Sequence, residues 1–142
     1  MFKHILIPVD GTVFSGRAIE TGVRFAKSLD ARITGFIAEP GFHLPVNRSF
    51  EPLSAHLERA QSHAHSVLKR IGDCASAEGV PFDADFVESS DVAEAIVDAA
   101  ARHHCDLIIM ASHGRHGIEK LLHHNAAAGV VSHAIIPVLV LH

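Results

Sequence analysis

The sequence predicts an α/β fold: an open, mainly parallel five-stranded sheet with helices on both faces and the strand order 3-2-1-4-5. Two observations support this prediction. Short apolar runs without polar alternation recur along the chain, as is typical of strands buried on both faces. Between them lie longer segments whose apolar residues recur at helical spacing. Because 142 residues fill one ordinary domain and are too few for two separate cores, we expect a single domain over residues 1–142.

The first half of the chain contains two strands and two helices. Residues 1–10 carry the first apolar run, and Ala31 to Ala38 form the second strand. The helix between them would be capped by Thr12 or Ser15. A second, longer helix is expected from Leu53 to Gly79. The apolar stripes that predict these helices are Ala18, Ile19, Gly22, Val23, Ala26 and Leu29 in the first, and Leu53, Leu57, Ala60, Ala64, Val67 and Ile71 in the second.

The second half of the chain repeats the alternation. Val80 to Glu88 alternates in polarity, which suits a strand near a sheet edge. A third helix opens at residues 90–94 with an acidic first turn. The fourth strand covers Leu107 to Met110, a short helix covers Ala126 to His133, and the last strand covers Pro137 to Leu141.

Composition excludes several classes of function. A formal net charge of −4 gives no electrostatic footprint for nucleic acid. The chain has no apolar run of the roughly 18 residues that span a bilayer, and its first residues lack the pattern of a signal peptide. We therefore expect a cytoplasmic protein with no nucleic-acid or membrane partner. Cys74 and Cys105 are too few and too isolated for a disulfide framework, and Cys105 is expected to pack as a small hydrophobe.

A binding site is expected where the first and fourth strands end. In an open α/β sheet, ligands bind beyond the carboxyl ends of the strands, at the point where the strand order reverses. Asp10 ends the first strand there, and its carboxylate can accept a hydrogen bond from a ribose hydroxyl or an adenine amine; it can equally be a turn residue that caps the next helix. Gly114 and Gly117 follow the fourth strand, as turn glycines or as positions where the backbone approaches an anion. The irregular stretch from Glu39 to Glu51 is expected to be a mobile flap and not a linker between domains.

The chain resembles the universal stress protein (UspA-like) family over essentially its whole length. The likeness is carried by ILIPVDGT in the first strand, by DLIIMASHGRHGIEKLL in the fourth strand and its loop, and by HAIIPVLVLH at the end. The family consists of small α/β domains of the adenine-nucleotide alpha-hydrolase-like type. Some of its members bind ATP and others bind no nucleotide, so the resemblance leaves binding open.

The phosphate loop of this chain departs from the pattern of the ATP-binding members. That pattern is Gly, two residues, Gly, nine residues, then Gly with Ser or Thr; aligned on SHGR, its positions here are Ala111, Gly114, His124 and Asn125. Ala111 adds only a methyl group, which is tolerable unless its backbone is left-handed. His124 places an imidazole ring at a position where the ATP-binding members have glycine, whose main chain lies against the phosphates. Asn125 can cap a helix but lacks the hydroxyl that would reach a phosphate oxygen.

Two interpretations of the loop remain. The triphosphate cradle is damaged, or protonated histidines and Arg115 replace glycine amides as the phosphate ligands. The adenosine half is less altered: by resemblance Asp10 is the adenosine-contacting acid, Val9 lies beside it, and Ile37 packs on the base. We therefore expect AMP or ADP to be favoured over ATP with its Mg²⁺. The expected ligand residues are Pro8, Val9, Asp10, Ile37, Met110, Ala111, His113, Gly114, Arg115, Gly117, His124 and Asn125.

The 13 histidines do not form an evident metal site. Only His113 and His116, in the loop, are spaced to pinch a metal ion, and structural zinc sites normally show four ligands. The sequence carries no Gly-x-Ser-x-Gly elbow and no Walker loop. We therefore expect no catalytic residue, although a slow ATPase is a third alternative.

The last strand, with the sequence PVLVL, is expected to be an apolar sheet edge that pairs with a second copy of the chain. The alternative is an internal strand covered only by its own helices. Family members commonly dimerise through this strand, which implies a two-fold homodimer through Val138–Leu141. The leading expectation is a non-catalytic stress-response protein with an adenine-nucleotide crevice. The second is a nucleotide-free member that acts through its dimer surface.

Overall fold

The computed structural model of the chain describes residues 1–9, 13–39, 53–111 and 126–141. Within these residues, strands and helices alternate as the sequence predicts. The elements in chain order are β1 His4–Pro8, α1 Val13–Leu29, β2 Arg32–Glu39, α2 Leu53–Ala77, β3 Phe82–Glu88, α3 Val92–Arg102, β4 Leu107–Ala111, α4 Ala126–His133 and β5 Val138–Leu141. No helix in the described ranges is both long and apolar enough to cross a membrane.

The five strands form one parallel sheet in the order β3-β2-β1-β4-β5, which confirms the predicted class and order. β1 pairs with β2 from His4↔Arg32 to Pro8↔Phe36, and β4 pairs with β5 from Ile108↔Val138 to Ala111↔Leu141. The strands β3 and β5 occupy the two edges. The expectation of a strand near an edge is therefore confirmed, although β3 begins at Phe82 and not at Val80. The interpretation of the last strand as internal is wrong.

Helices cover both faces of the sheet, and each face has its own apolar core. The helices α1 and α2 pack on one face, here called the α1/α2 face, against Ile5, Ile7 and Ile33. The helices α3 and α4 pack on the other, the α3/α4 face, against Leu6, Phe36 and Ile108. Neighbouring residues of β1 thus belong to opposite cores, as the alternation of side chains along a strand requires. Cys105 packs in the second core at 7% exposure, as expected.

Glycines allow close contacts between the layers at two places. A Cβ on Gly22 of α1 would lie 2.6 Å from the Cδ1 of Ile7 in β1, so this helix rests directly on the central strand. A Cβ on Gly129 of α4 would lie 2.6 Å from the Cβ of Ala93 in α3. Real Cβ atoms do not approach this closely, so α3 and α4 need the absence of a side chain at position 129.

Three helices end in the same arrangement of main-chain hydrogen bonds. After α2, the N–H of Gly79 donates to the carbonyl of Ser76 at 3.1 Å, and the N–H of Val80 donates to that of Ala75 at 2.8 Å. This pair of bonds is the Schellman motif, which requires one residue with positive φ. The residues in that conformation are Asp30 after α1 (φ 52°), Gly79 after α2 (φ 70°) and His104 after α3 (φ 54°).

The ends of several elements differ from their expected positions. The α2 helix ends at Ala77 instead of reaching Gly79, because the positive φ of Gly79 cannot continue a helix. Glu39 belongs to β2, where it pairs with Glu88, and not to the irregular stretch that follows. Ser15 lies inside α1 and is therefore not its N-cap. The alternative cap, Thr12, and residues 40–52 lie outside the described residues.

Candidate nucleotide site

The sheet order reverses between β1 and β4, and this point lies at the centre of the sheet. The chain proceeds from β1 outward to β2 and β3, and then crosses over to β4 and β5 on the other side of β1. At such a point the connections leaving the carboxyl ends diverge, which leaves a crevice for a ligand. The sequence placed the site here, and the described parts of β1 and β4 have the required positions.

Pro8 limits the pairing of these two central strands. β1 pairs with β4 only at Ile5↔Leu107 and Leu6↔Ile108 among the described residues, whereas its pairing with β2 continues to Pro8. A proline has no N–H to donate to a neighbouring strand, and it is rarely found in the interior of a central strand. Pro8 is one of the predicted ligand residues, but its effect on the sheet was not predicted. The signal was a proline inside a buried apolar run.

Two predicted adenosine-contacting residues lie on the same face of the sheet. Val9 is 8% exposed and Ile37 is 2% exposed, and both belong to the core of the α1/α2 face. The N–H of Val9 donates to the carbonyl of Phe36 at 2.9 Å, so Val9 lies beside the second half of β2. Both side chains are therefore packed in the core where β1 and β2 end.

Met110 lies on the opposite face. Its side chain is 6% exposed and belongs to the core under α3 and α4. Because side chains alternate along β4, the side chain of Met110 does not join those of Val9 and Ile37. Met110 can take part in the site with them only through its main chain.

Ala111 occupies the place of the first motif glycine, and its backbone is extended. It is the last residue of β4 and pairs with Leu141. Positive φ among the described non-glycine residues occurs only at Asp30 and His104. Alanine was expected to be tolerable here if its backbone lies outside the left-handed region, and the backbone of Ala111 does.

The remaining predicted ligand residues lie outside the described residues. They are Asp10, His113, Gly114, Arg115, Gly117, His124 and Asn125. His116, the partner of His113 in the suggested metal pair, lies outside them as well. Within the described part of the chain, no cluster of three or more His, Cys, Asp and Glu residues could hold a metal ion.

An open groove of about 370 Å³ lies between α1 and the end of β5. It is lined by Arg17, Glu20, Thr21 and Leu141. None of the predicted ligand residues that the structure describes is among these four. Since the crevice is expected at the reversal of strand order, and not at the sheet edge, we do not identify this groove with the nucleotide site.

A polar cluster at the opposite, amino edge of the sheet was missed by the sequence analysis. The Oγ1 of Thr34, a fully buried residue, lies 2.7 Å from the Nε2 of His4. Nearby, the Nε2 of His103 lies 2.7 Å from the Oδ2 of Asp85. Burial lowers the pKa of His4, and the positive charge of Arg32 lowers it further. The cluster fixes α3 against the sheet far from the crevice, and its sequence signal was polar residues inside otherwise apolar strands.

Comparison with known proteins identifies the family. The model of the "Universal stress protein family" matches residues 1–142. A universal stress protein of Methanocaldococcus jannaschii is 31% identical over 143 aligned positions, which cover 99% of this chain and 82% of that protein.

Two solved structures share the fold. A universal stress protein in complex with cAMP superposes with a TM-score of 0.75 at 21% identity, covering 99% of this chain and 97% of the other. A family protein from Arabidopsis thaliana with AMP bound superposes with a TM-score of 0.74 at 16% identity, covering 98% of this chain and 90% of the other. With the whole-chain family match and the observed strand order, these findings lead to one conclusion: the chain belongs to the universal stress protein family.

Proposed function

We propose that this protein binds an adenine nucleotide at the carboxyl edge of the sheet between β1 and β4, and that it prefers AMP or ADP to ATP. The observation that carries the proposal is the position of Val9 and Ala111. They lie at the carboxyl ends of the two strands between which the strand order reverses. Asp10, the proposed acceptor for the ribose hydroxyls, follows Val9 directly in the sequence.

The apolar side chains beside the crevice suit a purine. Val9 and Ile37 come from adjacent strands and share one face, so an aromatic base bound at these strand ends would have aliphatic neighbours. A carboxylate at the end of β1 is the acceptor that a ribose hydroxyl needs. These residues fit the adenosine part of a nucleotide.

The residues expected at the phosphate end fit a triphosphate less well. Ala111 is compatible with the extended backbone, but the other departures from the motif, His124 and Asn125, replace a glycine and a hydroxyl-bearing residue. Glycine amides at a helix N-terminus bind phosphate through main-chain N–H groups, and a histidine ring at that place obstructs the approach. Fewer phosphates require fewer such contacts, which favours AMP and ADP.

The ligands of structural relatives agree with this preference. One relative was solved with cAMP and another with AMP, both of which carry a single phosphate. We take the nucleotide as a bound signal in a stress response and not as a substrate, since the sequence contains neither a Walker loop nor a Gly-x-Ser-x-Gly elbow.

The test is a calorimetric titration of the wild-type protein with AMP, ADP and ATP, with and without Mg²⁺. AMP or ADP should bind more tightly than ATP, and the bound nucleotide should raise the unfolding temperature. Incubation with ATP followed by assay of released phosphate should show no turnover. Equal or tighter binding of ATP would contradict the preference, and absence of binding by all three would contradict the site.

Two variants test the roles of named residues. The double variant His124→Gly with Asn125→Ser restores the last two positions of the family pattern, and should raise the affinity for ATP more than that for AMP. Asp10→Asn should weaken all three nucleotides, because an amide is a poorer acceptor for the ribose hydroxyls than a carboxylate. Asp98→Asn, at an exposed position of α3, is the matched control and should bind like the wild type.

We also propose that β5 joins two copies of the chain into a homodimer. This strand occupies a sheet edge and carries Leu139, which is 37% exposed. In the segment that precedes it, Val131 is 55% exposed and Ile135 is 95% exposed. An apolar edge strand with free main-chain groups favours pairing with another strand. Two copies related by a two-fold axis would cover each other's apolar residues.

Light scattering at micromolar concentration tests the dimer. Leu139→Lys should convert a dimer into a monomer, because it places a charge on the paired edge. Ala84→Lys, at an exposed position of the other edge strand, β3, is the control and should remain dimeric. A monomeric wild-type protein would contradict the proposal.

A further inference from the structure

The main-chain hydrogen bonds of β1 alternate between its two neighbours. The N–H of Val9 points towards β2, where it donates to the carbonyl of Phe36 at 2.9 Å. In a strand, consecutive N–H groups point to opposite sides. The main-chain nitrogen of the preceding residue, Pro8, therefore points towards β4.

The register shows which hydrogen bond is missing. Leu6 pairs with Ile108, and this is the last rung that β1 and β4 share among the described residues. Each rung of a parallel ladder needs alternate donors and acceptors from both strands. The next donor from β1 would be the N–H of residue 8, and its acceptor would be the carbonyl of Ile109. A proline supplies no such donor.

The other strand pairs at this edge continue further. β2 and β3 remain paired to Glu39↔Glu88, and β4 and β5 remain paired to Ala111↔Leu141. Among the described residues, pairing thus ends early only between β1 and β4, the strands that flank the reversal of strand order. Pro8 lies where this pairing ends. Side-chain packing does not explain it, since Ile7 and Ile109 are both fully buried in the same core.

We propose that Pro8 is a positioning residue for the nucleotide site: it ends the β1–β4 ladder and so keeps the carboxyl ends of these strands apart for the ligand. This inference rests on the proposed function and extends it from the residues that contact the ligand to the one that keeps the crevice open. Any other residue at position 8 would have an N–H that can donate to the carbonyl of Ile109. This additional hydrogen bond would extend the pairing of β1 with β4 by one residue pair. Ligand binding would then have to break that bond.

The test compares two variants that differ by one N–H group. Pro8→Ala introduces the missing donor. Pro8→lactic acid, incorporated by nonsense suppression, carries the same methyl side chain on a backbone ester, so it has no N–H. Pro81→Ala is the control for the loss of a proline, since Pro81 is exposed and precedes the edge strand β3.

Two measurements apply to each protein. The first is hydrogen exchange without ligand. The new amide at position 8 of Pro8→Ala should exchange about tenfold or more slowly than the same amide in the unfolded chain. Nucleotide titration should show affinity lowered about two- to tenfold in Pro8→Ala, which corresponds to the net value of one hydrogen bond. Pro81→Ala should bind like the wild type, and Pro8→lactic acid should bind about two- to tenfold more tightly than Pro8→Ala.

The outcomes separate this inference from the proposed function. Free exchange of the new amide would overturn the inference, because no rung would have formed. So would a protected amide with unchanged affinity, or equal loss of affinity in the alanine and lactic acid variants. If the wild type binds no nucleotide, the proposed function has failed, and the exchange measurement alone decides whether Pro8 ends the ladder.

Discussion

Replacing Gly79 with alanine should destabilise the protein by about 1 kcal/mol. Gly79 has a φ of 70° at the end of α2, and a Cβ built on it would meet nothing within 4 Å. The substitution therefore creates no clash, and its cost is the conformational strain of a non-glycine residue in the left-handed region, about 1–2 kcal/mol, less the entropy that alanine removes from the unfolded chain.

The converse substitution should stabilise the protein. His104 has a φ of 54° in the same motif after α3, and it is exposed. His104→Gly should relieve its strain and raise the free energy of unfolding by up to about 1 kcal/mol. Each kcal/mol corresponds to a change in unfolding temperature of about 2–4 °C in a domain of this size.

Urea unfolding at one fixed protein concentration measures both effects, because a concentration difference would alter the stability of an oligomer. The midpoint should fall for Gly79→Ala and rise for His104→Gly, with the slope unchanged. A neutral Gly79→Ala, or a destabilising His104→Gly, would show that these helix ends are not governed by backbone conformation.

Three other predictions concern the cores and the amino edge. Gly129→Ala should destabilise by about 1–3 kcal/mol, because its Cβ would lie 2.6 Å from that of Ala93; a melting curve like that of the wild type would mean that α4 moves freely over α3. Since the pKa of His4 is lowered from 6.5 in the folded state, the unfolded chain binds the proton more tightly. The stability from neutral His4 is therefore complete above about pH 7.5 and decreases as pH falls through 6.5 towards the folded value. His4→Gln, which keeps an acceptor for Thr34, should lose less stability in urea between about pH 7.5 and pH 5, and equal losses would refute the assignment. Burial raises the pKa of Cys105 to about 12, so iodoacetamide at about pH 8 should leave this thiol unmodified in the folded protein, as mass spectrometry would show.

The sequence was sufficient for the fold because each local pattern agreed with the others. The apolar runs of β1 and β4 and the helical stripes between strands predicted the observed elements, and the resemblance to the family agreed with the observed strand order. Helix ends were less predictable. Gly79 was recognised as a helix terminator because it is a glycine, whereas Asp30 and His104 adopt the same conformation without that signal.

The strand ends at which the site is expected were predictable, but the arrangement of side chains there was not. The sequence placed Val9, Ile37 and Met110 together, yet the alternation of side chains in β4 puts Met110 in the opposite core. The effect of Pro8 needs the register between β1 and β4, which a sequence does not contain. The contact between His4 and Thr34 joins residues on two strands and depends on that pairing as well.

The two edges of the sheet differ in a way that bears on polymerisation. β5 has an apolar border, whereas β3 carries Asp83, paired with Arg32, and Asp85, whose Oδ2 lies 3.2 Å from Arg102. Charged side chains on an edge strand discourage another strand from adding to it. If β3 were as apolar as β5, copies could join head to tail into an open filament. In the proposed dimer only β5 would pair, so the charged residues of β3 would keep the sheet from extending beyond two chains.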